Sequence, residues 1–147
     1  MHEQAWLRWT LLGLAVVAGF VLIVFAVNEG AGDIEGTSWS VEQLAVDGSL
    51  VDPIEGTVIT ADFEDGGVSG IASCNNYFGS YETDGDSITF GPMGTTLMAC
   101  EDAVSAQEIA YLSNLGSADT FDVDGDTLTL SQGDTVLVVF TDASSSN

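Results

Sequence analysis

From Trp9 to Asn147 the chain contains no lysine, arginine or histidine. Whatever it folds into must be held without a side-chain ion pair in that stretch, because the 22 carboxylates beyond Val27 have no cationic partner. Only His2 and Arg8 interrupt the pattern, and the formal charge is −22. Repulsion on this scale opposes compaction and is relieved by salt, with a screening length of about 8 Å at physiological ionic strength. It fits saline surroundings or a cation-rich cell envelope. Nucleic acid is not expected as a partner, since such a chain repels phosphate backbones. An unstructured acidic tail is excluded as well, because 46% of the residues are hydrophobic, enough to build a core.

The same absence removes most catalytic chemistry. A Ser-His-Asp or Cys-His arrangement needs an imidazole to take the nucleophile's proton. Histidine zinc sites are excluded, and two cysteines cannot close a tetrahedral thiolate site. Phosphoryl transfer and a Walker loop both lack their lysine. No catalytic residue, cofactor or metal ligand is assigned, and the expectation is a protein that is not an enzyme.

Trp9–Val27 is 19 residues without a charge. As a helix it would reach roughly 28 Å, close to the hydrocarbon thickness of a bilayer. Trp6 and Trp9 stand where indoles favour the lipid–water boundary. Arg8 precedes the run and Glu29, Asp33 and Glu35 follow it, so the positive-inside bias puts residues 1–8 in the cytoplasm and the bulk of the chain outside. The expected organisation is a single-pass signal anchor at 9–27, a linker at 28–36, a domain at 37–141 and a polar tail at 142–147. The alternative is a cleaved signal peptide, with Val24-x-Ala26 as its small-residue end, which would make the protein secreted.

Strand-sized alternating segments fill the domain. Trp39, Val41 and Leu44 mark the first, residues 58–63 the second and 68–72 the third, with a hairpin across Gly66-Gly67. Residues 78–82 and 87–90 flank Asp84-Gly85, 121–123 and 126–130 flank Asp124-Gly125, and 135–140 follow Gly133-Asp134 as the most apolar strand. Residues 101–115 lack glycine and proline and put Val104, Tyr111, Leu112 and Leu115 on one helical face, with Glu108 interrupting that stripe. Glu101 and Asp102 suit the positive end of the helix dipole, and Gly116 can close it. One helix among about eight strands predicts a mainly β barrel or half-barrel with the helix across an opening.

Cys74 and Cys100 are the only cysteines. An even count in an oxidising compartment favours a disulfide, worth roughly 3.5 kcal/mol by chain entropy; two buried free thiols are the alternative. At these residues the chain resembles the META/HslJ family of small envelope-associated domains. Gly36-Thr-Ser-Trp39 looks like the family's opening G-x-x-W strand. Residues 69–81, with Gly70, Cys74, Asn75, Asn76, Tyr77, Gly79 and Tyr81, look like its S-G-x-x-x-C-N-x-[YF]-x-G-x-Y block. Thr96, Met98 and Cys100, with Glu108 beyond, are similar to its T-x-M-A-C block and acidic helix. The resemblance implies a lipocalin-like antiparallel barrel with one helix, no defining enzymatic activity and a link to heat-shock and envelope-stress responses. Two departures stand out: Leu97 replaces a basic residue often found before the methionine, and the helical run replaces a lipobox.

From the residues themselves, Asn75 and Asn76 suit side-chain hydrogen bonds and turn geometry, while Gly70 and Gly79 suit bulges or tight bends. A ligand-contacting role for Asn75, Asn76, Tyr77 and Tyr81 is the alternative. Asp122, Asp124 and Asp126 lack the glycine and the closing glutamate of an EF-hand, and Asp124-Gly125 reads as a hairpin turn. The expected role is envelope maintenance or stress response through an unknown envelope protein, with the bilayer held by Trp9–Val27. A barrel binding a small ligand, or divalent cations weakly at its acidic turns, is the alternative; a hydrolase using paired carboxylates is the weaker one.

Overall fold

Alternation and tight turns organise residues 33–146, which the computed structural model describes. The strands are β1 (Ser38–Val46), β2 (Ser49–Val51), β3 (Thr60–Glu64), β4 (Gly67–Ile71), β5 (Asn76–Asp84), β6 (Ser87–Phe90), β7 (Gly94–Thr95), β8 (Thr120–Asp124), β9 (Thr127–Gln132) and β10 (Thr135–Asp142), with helix α1 (Asp102–Ser117) between β7 and β8. Ile88 and Phe90 point inward and their neighbours outward, as the period of two requires. Asp65-Gly66 joins β3 to β4 with φ of 49° and 79°, the doubly left-handed turn that matches strand twist. Asp47-Gly48 makes the same kind of turn into the short β2, which the reading of the sequence passed over.

Eight strands form a closed antiparallel ring in the order β1-β3-β4-β5-β6-β8-β9-β10, and β10 returns to β1 from Trp39↔Asp142 to Leu44↔Val138. The half-barrel alternative therefore falls. β2 extends β1, and β7 pairs beside β6 on β5. Closure uses two bulges. The β1–β10 register shifts between Val41 and Gln43, and the β9–β10 register shifts between Val136 and Val138. Each adds a residue to one strand and bends it. That is why Val41 and Leu44, three apart, both face inward, and why Leu137 and Val138 are both buried. The seam between β6 and β8 is narrow, with the one register pair Ser87↔Thr120 flanked by Ile88 N–H to Asp119 O at 3.0 Å and Phe121 N–H to Asp86 O at 2.9 Å.

The barrel interior is filled by its own side chains, with Trp39, Phe63, Tyr77, Tyr81, Phe90, Tyr111 and Phe140 all buried. Phe63 meets Tyr81 edge-on at 5.0 Å, and Tyr77 meets Tyr111 at 5.5 Å, a favoured aromatic geometry. α1 packs on β1, β10 and β6 and inserts Tyr111 and Leu115. Gly116 lies inside this helix, which ends instead at Ala118 with its N–H returning to Asn114 O. Residues 33–36, read as the end of a linker, pack on the barrel: Ile34 is buried and its carbonyl accepts the Trp39 indole N–H at 3.0 Å. At the other end β10 runs through Asp142, whose carboxylate accepts the Ser144 N–H and hydroxyl and opens a 3-10 turn over Ala143–Ser146. Those bonds hold the Asp142 carboxyl below its ordinary value. The span read at 9–27 lies outside the described residues, among which no helix is long and apolar enough to cross a membrane.

Gly70 and Gly79 sit in uninterrupted β4–β5 register, so neither is a bulge. What they provide is room. A methyl at Gly70 would strike the Thr60 carbonyl oxygen, and one at Gly79 the Met93 sulfur. Gly116, by contrast, faces open space. Gly70→Ala should lower stability by about 1–3 kcal/mol through overpacking. Gly116→Ala should raise it by about 0.5–1 kcal/mol through helix propensity. Urea unfolding midpoints of the two variants will show the opposite signs.

Candidate functional site

The stripe that Glu108 interrupts proves to be the buried face of α1. Gln107, Glu108, Tyr111 and Leu115 are its buried residues, a spacing that follows one side of a helix. Val104 and Leu112 are only half-buried. Burying a carboxylate is costly unless it is fully hydrogen-bonded, and Glu108 meets three donors. Its Oε2 accepts the Asn75 N–H at 2.7 Å and the Cys74 N–H at 3.2 Å, and its Oε1 accepts the Asn75 side-chain amide at 2.8 Å.

Asn75 passes the connection on. Its Oδ1 accepts the Met98 N–H at 2.6 Å and the Thr96 hydroxyl at 3.0 Å. Thr96 also pairs with Asn76, whose N–H donates to the Thr96 hydroxyl and whose carbonyl accepts the Thr96 N–H. The Cys74–Cys100 disulfide, with Cα atoms 6.1 Å apart, closes the same junction covalently. Helix, β5 and the 96–100 loop thus meet at one amide and one carboxylate. The left-handed residue here is Ser73, at φ 79°, so neither asparagine makes the turn; Asn76 is exposed and contributes through its backbone.

Gln107, which the sequence reading missed, does comparable work. Its Oε1 accepts the Ile54 N–H at 2.7 Å, and its amide donates to the Thr57 and Ser73 hydroxyls at 2.9 Å each. Two consecutive polar residues one turn before Tyr111 on a helix face were the available signal. Thr60 was missed as well. The Tyr77 hydroxyl donates to its carbonyl at 2.7 Å, so the Tyr111 hydroxyl, 2.7 Å from Tyr77, donates to the Tyr77 oxygen. The carbonyl can take that position because Gly70 leaves it space.

Among the motif residues, the structure gathers Asn75, Asn76, Thr96, Met98 and both cysteines at the α1 junction. Gly70 and Tyr77 meet through Thr60, and Trp39 and Tyr81 anchor residues 34–35 elsewhere on the barrel. Asn75, Tyr77 and Tyr81 are buried and partnered by the protein itself. Outside the barrel, grooves of about 310 and 360 Å³ share the acidic edge of Asp62 and Glu64, and one of about 280 Å³ lies beside Asp33, Glu35 and Tyr81. Asp122 lies in the middle of β8, Asp124 ends it, and Asp126 follows in the hairpin to β9. Among the described residues no three carboxylates or cysteines converge as a metal-ligating group.

Comparison with known proteins bears on this architecture. The family model of the META domain matches residues 32–145. An NMR structure of a protein from Burkholderia xenovorans is similar at 29% identity with a TM-score of 0.63, covering 75% of this chain and 83% of that one. A second NMR structure shares the fold at 18% identity and a TM-score of 0.58, covering 77% and 94%. No curated protein matches the chain significantly.

Removing the Glu108 carboxylate strands three buried donors. Glu108→Ala should cost about 2–4 kcal/mol, against less than about 0.5 kcal/mol for Glu101→Ala, which caps nothing with its side chain; chemical unfolding measures both. All three tyrosines are buried and hydrogen-bonded. Burial raises each phenol above its ordinary 10.0, reinforced at Tyr81 by the hydrogen bond to Glu35 and opposed at Tyr77 by the one from Tyr111. A raised folded value means the contribution is intact below pH 10 and lost as pH climbs through the folded value. In an alkaline titration, phenolate absorbance should therefore appear only together with loss of the fold.

Proposed function

The chain belongs to the META domain family, and on that footing we propose that it is a membrane-anchored, extracytoplasmic, non-enzymatic domain that serves envelope maintenance or stress response through protein interaction. The observation that carries this reading is where the motif residues are used. Asn75, Thr96, Tyr77 and Gly70 are committed to internal bonds or to packing, and the barrel holds aromatic side chains where a ligand-binding barrel would hold its ligand. A barrel spent on its own integrity acts through its exterior.

The anchor is the apolar run Trp9–Val27, with Arg8 on the cytoplasmic side. An extracytoplasmic position accords with the Cys74–Cys100 disulfide, which is at home in an oxidising compartment. The non-enzymatic reading follows from the lack of any imidazole, ammonium or guanidinium after Arg8. A fusion of alkaline phosphatase after Asn147 of the full chain should be active and remain with the membrane fraction. An inactive phosphatase, paired with a fluorescent cytoplasmic reporter at the same position, would overturn the placement.

A further inference from the structure

The most constrained junction of the domain holds up a loop with two exposed apolar side chains, Leu97 and Met98, at its tip. Residues 96–101 are all exposed, Leu97 at 95% and Met98 at 58%. Yet Met98 is fixed through its N–H on the Asn75 side chain, Thr96 is paired with Asn76, and Cys100 is tied to Cys74. An apolar tip would normally fold back onto the surface to shed its hydration cost. This one is held out.

Its neighbours extend the apolar surface. Phe78, 62% exposed, pairs with Gly94 and its ring lies against that glycine, where a side chain would strike it. Ile71, 39% exposed and opposite Asn76 in the β4–β5 register, is the diagonal outward neighbour of Phe78. Ile71, Phe78, Leu97 and Met98 are thus exposed apolar side chains on neighbouring stretches of β4, β5 and the loop after β7, where Phe78 pairs with Gly94 and Met98 bonds to Asn75. We infer that together they form a docking surface for a protein partner with an apolar pocket rimmed by lysine or arginine. Leu97 and Met98 are the inserted anchors.

Charge selects that occupant. Glu101 and Asp102 follow the tip, Asp62, Glu64 and Asp65 border the groove beside Phe78, and no described residue is cationic. A second copy would set carboxylates against carboxylates, with −22 on each chain. An anionic leaflet would repel the patch in the same way. A cationic rim is attracted, and a pre-ordered loop loses little further freedom on docking. The inference rests on the interaction reading above and names its surface.

The test is photo-crosslinking in the cells that make the protein, with p-benzoylphenylalanine replacing Leu97 in the full chain. The control is the same replacement of Ile109, which is 69% exposed on α1. Position 97 should give about tenfold more protein adduct than position 109, and Met98→Ser should reduce that adduct about tenfold with the thermal midpoint unchanged. Mass spectrometry should map the adduct to an apolar segment beside lysine or arginine. Adducts only with a second copy, only with lipid, or with no excess over position 109 overturn the proposal. If position 109 captures protein and position 97 does not, the loop loses its role while the interaction reading stands; if neither does, both fall.

Discussion

A folded domain with no cationic side chain must quiet its inner carboxylates with neutral donors. Glu108 shows how: backbone N–H groups of Cys74 and Asn75 and the Asn75 amide take the place a guanidinium would fill elsewhere. At the edge of the barrel, Glu35 is met by the Tyr81 hydroxyl. Neutral donors are directional and short in reach, so each such carboxylate fixes backbone position more tightly than an ion pair on a flexible lysine stem could. That one buried acid ties α1 to the Cys74-Asn75 backbone, and through the Asn75 side chain to the 96–100 loop that the disulfide also closes.

The division of labour between inside and outside has the same origin. Buried polar groups are spent on each other, as in the chain from Tyr111 through Tyr77 to the Thr60 carbonyl, and no polar side-chain atom among the described residues is buried without a partner. Such full satisfaction stiffens a fold and specifies it. The exterior carries the remaining acids and a few apolar side chains that the interior did not need.

Much of this was visible in the residues, and the losses have physical reasons. Alternation at Ser87–Phe90 and the glycine run after Glu64 are local signals, so strands and hairpins could be placed from them, although the turn falls at Asp65-Gly66, one residue ahead of the expected Gly66-Gly67. The bulges at β1 and β10 could not, because a register shift exists only relative to a partner strand, and that partner lies at the opposite end of the chain. Glu108 looked like a flaw in an apolar stripe because its donors are 33 and 34 residues away. Gly70 suggested a bend, when the cause is the approach of Thr60 from another strand. β2 and β7, at three and two residues, are too short to carry a period. In the motif block the residues suggested side-chain bonds and turn geometry for both asparagines, whereas Asn75 makes the side-chain bonds, Asn76 pairs through its backbone and Ser73 takes the left-handed turn.

Ladder strength is unevenly spread around the ring. Between β6 and β8 a single register pair closes what five or six pairs close at β8–β9 and β9–β10. Parting there would sacrifice few bonds and leave an unbroken ribbon running from β6 through β1 to β8, still curled and still joined along its length. Local opening follows the cheapest set of bonds. Within the ring, parting therefore begins as an unzipping along its thinnest stave, and among the amides bonded between strands of the barrel those flanking Ser87 and Thr120 are the first to trade with water.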